Sequence, residues 1–406
     1  MSALHAAWIL AAALLLTPMT GGAAEPTQVE QGRYLAIVGD CAGCHTMPGG
    51  VAYAGGVQIK TPFGTLIAPN ITPDPKAGIG GMSDAQFLAA MHTGVGRPGH
   101  LYPAFPYPYY TKVSNADLLA IRAWLNTLAP SSNKIISNQL PFPFDIRASM
   151  RAWNALNFTE GRFVPTAGKS DSWNRGAYLV EGLAHCGACH TPKNSLGGDE
   201  LARALQGGVL NQWLAPNLTG DTHTGIGAWS VEEITLYLHS GHNASSAATG
   251  PMAEVVRLST SQMTDADRQA IAIYLKDQPG QPTVTPAAVA GPVMQLGAVV
   301  YDQQCAACHT DRGAGIDGLA PAFAHAPSIQ ASNPVNLVRA VLLGAASVAT
   351  DTAPTGAAMP AFGWKLSDQQ VAAVLSYIRT SWGNAAAPVD TSLVHGLRES
   401  LTTDTR

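Results

Sequence analysis

All six cysteines of the chain fall into three pentapeptides of one pattern, Cys41-Ala-Gly-Cys44-His45, Cys186-Gly-Ala-Cys189-His190 and Cys305-Ala-Ala-Cys308-His309. Two thiols separated by two residues on the first turn of a helix can each form a thioether with a porphyrin. The adjacent histidine then sits under the iron as proximal ligand. A single Cys-x-x-Cys-His could be half of a zinc site. Three copies that use every cysteine leave no thiol for a disulfide, a zinc ribbon or an iron–sulfur cluster. The motifs therefore point to three covalently bound haem c groups, held by Cys41, Cys44, Cys186, Cys189, Cys305 and Cys308, with His45, His190 and His309 on the irons.

At 406 residues the chain has room for three domains of roughly 100 residues, one for each haem. Self-comparison supports the division. Each unit opens with a short helical stretch before its motif: Gly32-Arg-Tyr-Leu35, Gly176-Ala-Tyr-Leu179 and Gly297-Ala-Val-Val-Tyr301. Units one and two share Ala-Pro-Asn-(Ile/Leu)-Thr at 68–72 and 215–219, then Gly-Ile-Gly at 78–80 and 225–227, at the same spacing. Each unit closes with a helix announced by a Ser or Thr cap and carrying an aromatic further on: Ser114 and Trp124, Thr264 and Tyr274, Ser367 and Tyr377. The predicted fold is all-α: three tandem cytochrome c-like haem domains with Pro/Gly-rich loops, at 26–135, 171–280 and 293–385. A strap (136–170) joins the first two. A linker (281–292) rich in Pro, Gly and Ala precedes the third, and a tail (386–406) follows it.

Residues 1–24 read as a secretory signal peptide, with an apolar run from Ala6 to Leu16 and a small-residue end at Gly22-Ala-Ala24, although only His5 could carry charge near the start. The run is too short to span a bilayer. The net charge of −4, made more negative by haem propionates, and the lack of a basic cluster argue against nucleic acid as a partner. In the strap, Ile146, Met150, Trp153 and Leu156 lie near one helical face; in the tail, Val389, Leu393, Leu397 and Leu401 recur every four residues. Either stripe can pack on the chain itself or dock a partner, and the tail could also meet a membrane surface.

A methionine thioether opposite the histidine completes a site suited to electron transfer. Met359, in Met359-Pro-Ala-Phe362, and Met252, in Gly250-Pro-Met252, are the expected sixth ligands of units three and two. Unit one breaks the pattern, because the position matching Met252 is Phe105. Met82 and Met91 align with packing positions of unit two and His92 with His239, in a unit that already has its methionine, which leaves His100 as the nearby candidate ligand beside an open or water-bound iron. His185, His223, His242 and His325 are expected to be ordinary hydrogen-bonded or solvent-facing histidines.

These residues, together with Tyr53-Ala-Gly-Gly56, Thr61-Pro-Phe-Gly64, Asn70-Ile-Thr-Pro-Asp74, Leu101-Tyr-Pro-Ala104 and Pro141-Phe-Pro-Phe144, resemble the three-haem cytochrome c subunits of membrane-associated bacterial dehydrogenases for alcohols, sugars, sugar acids and aldehydes. The resemblance spans about 28–383. It implies a periplasmic relay at the outer face of the inner membrane, peripherally attached, that takes electrons from a catalytic subunit of quinoprotein, flavoprotein or molybdopterin type and passes them to ubiquinone. Many such subunits have methionine where Phe105 stands. Two other functions are compatible with the motifs: a haem enzyme, such as a peroxidase or small-molecule oxidase, working at an open iron in unit one, and delivery of electrons to a terminal oxidase. No flavin or nicotinamide fingerprint accompanies the haem motifs, so no catalytic residue is expected in this chain.

Overall fold

The computed structural model describes residues 27–280, 291–324, 326–351 and 354–404. The expected signal peptide, most of the 281–292 linker and His325 lie outside the described residues. Unit one contains α1 (Gln28–Val38), α2 (Cys41–His45), a ribbon of β1 (Gln58–Thr61) and β2 (Gly64–Ile67), α3 (Asp84–Thr93), a ribbon of β3 (Val95–Gly96) and β4 (Gly99–His100), α4 (Tyr107–Tyr110) and α5 (Asn115–Leu125). The strap carries α6 (Met150–Asn157). Unit two runs through α7 (Asp171–Tyr178), α8 (Gly187–His190), β5 (Gly208–Leu210) and β6 (Trp213–Ala215), α9 (Val231–Ser240), β7 (His242–Asn243) and β8 (Ser246–Ala247), α10 (Gly250–Leu258) and α11 (Asp265–Lys276). Unit three contains α12 (Pro292–Gln304), α13 (Ala306–His309), α14 (Pro327–Gln330), α15 (Val335–Leu343), β9 (Ala345–Ala346) with β10 (Ala358–Met359), and α16 (Asp368–Thr380); the tail forms α17 (Thr391–Asp404).

The molecule is mostly helical, but the all-α expectation needs correction: among the described residues five two-stranded antiparallel ribbons stand between the helices. Strands of two to four residues are too short to show a period-two pattern, so the sequence conceals them.

The glycine that opens each unit marks where its first and last helices cross. A Cβ on Gly32 would lie 1.8 Å from the Ala120 carbonyl oxygen, on Gly176 2.0 Å from that of Ala270, and on Gly297 2.3 Å from that of Ala373. Only glycine lets the backbones approach so closely. The expected caps are present: the side chains of Ser114, Thr264 and Ser367 accept from the amides of Asp117, Asp267 and Gln370.

The tyrosine two residues after the glycine does something different. Tyr34 of unit one crosses to the start of α11 in unit two, where its hydroxyl donates to Asp267 Oδ2 at 2.7 Å and accepts from the Thr264 amide at 3.2 Å. Tyr178 of unit two makes the reciprocal crossing to α5, donating to Asp117 and accepting from the Ser114 amide. Units one and two therefore share one buried cluster, with Leu35 and Ile121 from the first and Leu179 and Ile271 from the second. In unit three the tyrosine comes four residues after the glycine, and Tyr301 donates to Thr310 O at 2.6 Å within its own unit.

Unit three has a separate core in which Val300, Val338, Val371 and Leu375 are joined by Val394, Leu397 and Leu401 of α17. The tail stripe thus packs on its own chain. The strap stripe splits. Trp153 is buried and donates from Nε1 to Leu196 O at 2.9 Å, whereas Leu156 is 72% exposed and Ile146, ahead of the helix and out of phase with it, is 45% exposed.

Candidate haem attachment sites

Each Cys-x-x-Cys-His motif forms a single helical turn: α2, the start of α8, and α13. One turn brings the two sulfurs to the same side, and all six thiols are free of disulfides. Burial pushes Cys41 and Cys186 up to about 12 and Cys305 up to about 11. Burial thus keeps these thiols neutral at ordinary pH.

The histidines are oriented by a feature the sequence reading passed over. His45 Nδ1 lies 2.7 Å from the carbonyl oxygen of Pro69, and His190 Nδ1 lies 2.7 Å from that of Pro216. A carbonyl can only accept, so Nδ1 carries the proton and Nε2 is left with its lone pair; neither Nε2 has a hydrogen-bond partner among the described residues. This is the arrangement an iron ligand needs, with a carbonyl fixing tautomer and ring orientation. Burial lowers the pKa of all three histidines and keeps the imidazoles neutral. In unit three, Pro321 occupies the same place and its carbonyl faces His309, but the ring is set by stacking on Phe323, with centroids 4.4 Å apart and planes 20° from parallel.

A second shared feature grips the backbone. The His45 carbonyl accepts from the Gly55 amide at 2.8 Å, His190 from Gly207 at 2.8 Å, and His309 from Gly315 at 3.2 Å. All three glycines have positive φ, and their Cβ positions face the Ala-Pro segment that holds the histidine, in unit one only 2.5 Å from Pro69 C. The residue after each histidine is threonine, and Thr46, Thr191 and Thr310 accept from amides of the same loops. The repeated Ala-Pro pairs, 68–69, 215–216 and 320–321, were the available signal. The glycine was hidden because the loop between it and its histidine differs in length in every unit. The donor set and its orientation therefore fit covalent haem c at each motif.

Among the expected sixth ligands, Met252 lies on the first turn of α10, partly buried against the shared core, and α10 also rests against α2 of unit one. Met359 lies in β10 against the core of unit three. Phe105 packs on Tyr110 with ring centroids 5.4 Å apart. His100 is engaged by the strap: its carbonyl accepts from Arg147 Nη1 at 3.0 Å and its Nε2 from Arg151 Nε at 3.2 Å, while Nδ1 is buried without a partner. Met82 and Met91 are buried packing residues, and His92 Nε2 bonds to Val113 O. His185 is half-buried and edge-on to Tyr110, His223 reaches Ala385 O, and His242 turns to Ser240 O.

Comparison with known proteins agrees with this geometry. The cytochrome c family model matches residues 174–279 and 294–382, in units two and three. The gluconate 2-dehydrogenase cytochrome c subunit of Pantoea cypripedii is 39% identical over 397 residues, covering 92% of this chain and 90% of the relative. The cytochrome c subunit of a quinone-type alcohol dehydrogenase from Gluconacetobacter polyoxogenes is 36% identical, covering 89% and 82%. The fructose dehydrogenase cytochrome subunit of Gluconobacter japonicus is 36% identical over 415 residues, covering 94% and 85%.

The chain belongs to the family of cytochrome c subunits of bacterial dehydrogenases. Members carry covalent haem c and transfer electrons; they are not the catalytic subunits. Within this cytochrome no helix among the described residues is long and apolar enough to cross a membrane.

Proposed function

We propose that this cytochrome carries three haem c groups and works in the periplasm as a relay. It takes electrons from a catalytic dehydrogenase subunit and delivers them to ubiquinone at the outer face of the inner membrane. The observation that carries the reading is an anchoring device repeated at all three motifs: a free pair of thiols on one turn and a left-handed glycine clamping the histidine backbone, with the imidazole held by a proline carbonyl in units one and two and stacked on Phe323 in unit three. When bound, haem supplies one-electron iron chemistry. The chain supplies orientation, through the proline carbonyls, and dryness, through the cores that bury the imidazoles. Met252 and Met359 would complete the second and third irons; Phe105 offers the first iron no donor.

The partner of gluconate, alcohol or fructose dehydrogenase type follows from the relatives' names. The test is purification of the native chain in mild detergent, with haem counted per polypeptide and co-purifying subunits identified by mass. Three haems and one stoichiometric large subunit are the expected result. Two haems, or a chain that purifies alone and turns over peroxide, would overturn it. Carbon monoxide should bind one ferrous haem in three and none in Phe105→Met.

A further inference from the structure

Asp40 is the residue before the first haem motif, and its backbone is left-handed, with a φ of 46°. Its side chain folds back over the turn that carries both thiols: a Cβ on Gly43 would lie 2.7 and 2.9 Å from the two carboxylate oxygens. Oδ1 is buried there without a hydrogen-bond partner. A carboxyl whose buried oxygen goes unanswered is poorly solvated as an anion. His185 stands at the matching place before the second motif, also left-handed with a φ of 39°, and Gln304, the last residue of α12, precedes the third. Only the first motif carries an acid at this position.

The surroundings hold that carboxyl on the edge of ionisation. α10 of unit two rests against α2 and brings Glu254 and Arg257 toward Asp40, and Cys189 reaches it from the second motif. Tyr53 and Tyr110 face it from unit one; burial pushes Tyr53 up to about 12 and Tyr110 well above its ordinary value, so both stay neutral. His185, whose Nε2 lies 3.4 Å from the Gly39 carbonyl beside Asp40, is kept neutral by desolvation of its ring. Cysteines that have become thioethers carry no charge, which leaves Glu254 and Arg257 as the ions facing the group among the described residues. Burial pushes Asp40 up to about 7, Glu254 adds to the rise, and the Gly43 amide and Arg257 oppose it.

We propose that Asp40 is the proton acceptor of the first haem site, taking up a proton when an electron arrives there and releasing it when the electron leaves. The inference rests on haem being attached at the first motif, as above. Ferric iron becoming ferrous removes one positive charge from the neighbourhood of the carboxylate; a proton from water replaces it, and the carboxylate becomes a carboxylic acid. The electron comes from the dehydrogenase partner, and the proton returns to water on reoxidation. Asp40 is only half-buried, so water has access to it. Linkage makes the effect reciprocal: whatever reduction adds to the proton affinity of Asp40, protonation adds to the electron affinity of the iron. A carboxyl in the ordinary range would stay ionised in both redox states near neutrality and do neither.

The test is a spectroelectrochemical titration of the haem-loaded full chain between about pH 5.5 and 8.5, with proton uptake on anaerobic reduction followed by an indicator dye. In the parent, the reduction equilibrium constant of one haem should fall by about tenfold as pH rises across this range, and reduction should draw protons from solution. In Asp40→Asn, whose side chain tolerates the left-handed backbone, that haem should stay at the parent's low-pH value throughout and the uptake should drop, with all three haems retained by pyridine haemochrome. Glu254→Gln removes the neighbouring anion and should move the sloping region to lower pH without abolishing it, a response that a purely structural aspartate would not give. If Asp40→Asn keeps the parent's slope and uptake, the proton is held elsewhere, and the assignment falls while the relay stands. A parent whose three haems titrate flat would overturn it too. A chain with no haem at the first motif would sink the attachment reading, and this inference with it.

Discussion

Units one and two exchange their tyrosines, while unit three keeps its own. In the first pair, Tyr34 and Tyr178 each cap the closing helix of the other unit, and one apolar cluster runs across both. Unit three meets unit two through a small buried cluster of Ala248, Val256 and Val348 and through part-buried hydrogen bonds: Leu214 N to Asn336 Oδ1 at 2.9 Å, Asn336 Nδ2 to Leu214 O at 2.7 Å, and Ala322 N to Ala244 O at 2.8 Å. It fills its core with the tail instead. Shared apolar burial couples folding, and the small cluster of Ala248, Val256 and Val348 with its few hydrogen bonds couples far less than the core that runs through units one and two. The first two units should unfold together and the third apart from them.

The sharpest test adds bulk where the helices cross. Gly32→Val sets a side chain against the Ala120 carbonyl, which cannot yield without parting α1 from α5, at a cost above about 3 kcal/mol. Pyridine haemochrome counting should show the loss of both haems of the first pair, while Gly297→Val loses only the third. Loss of a single haem in Gly32→Val would break the comparison.

Removing part of the tail's packing acts on the other side. Leu397→Ala, in a buried position, should cost unit three about 2–5 kcal/mol and lower only the calorimetric transition that carries the third haem. The crossing contacts come next. Burial pushes the Asp267 carboxyl up, but hydrogen bonds from Arg175 and Tyr34 outweigh it and hold the group below its usual value. A depressed folded pKa contributes stability that is present above the unfolded value and lost as pH falls through the folded one. The joint transition of units one and two should therefore weaken on acidification below about pH 4. Asp267→Asn should remove that part of the dependence and cost about 1–3 kcal/mol at neutral pH. The smallest effect is expected at Arg203, whose exposed guanidinium pairs with Glu200 at 3.0 Å; its replacement by alanine should change the joint transition of units one and two by about 1 kcal/mol or less in a thermal melt.

Much of this was legible in the chain. The haem motifs, helix caps and opening glycines declare themselves because each depends on a residue type that few others can replace. Even the exchange of tyrosines was written in the spacing, Gly-x-Tyr in the first two units and Gly-x-x-x-Tyr in the third, though its meaning needed three dimensions. What stayed hidden depends on backbone atoms, which carry no residue signature. Any residue at Pro69 could offer a carbonyl to His45, and Gly55, Gly207 and Gly315 close loops of different lengths. The strap stripe misled for a related reason: helical periodicity was read through Ile146, where the chain has not yet entered α6.

The reciprocal tyrosines also set the terms on which parts of such cytochromes can be traded between relatives. A chimera that imports unit one alone brings a tyrosine without its carboxylate and removes the cap acceptor that Tyr178 reaches for; both halves must travel together. The natural seam for recombination is therefore the Pro/Gly/Ala-rich stretch ahead of α12, and a third unit exchanged there, tail included, need only keep the fit of Val348 against Ala248 and Val256 and of Asn336 against Leu214.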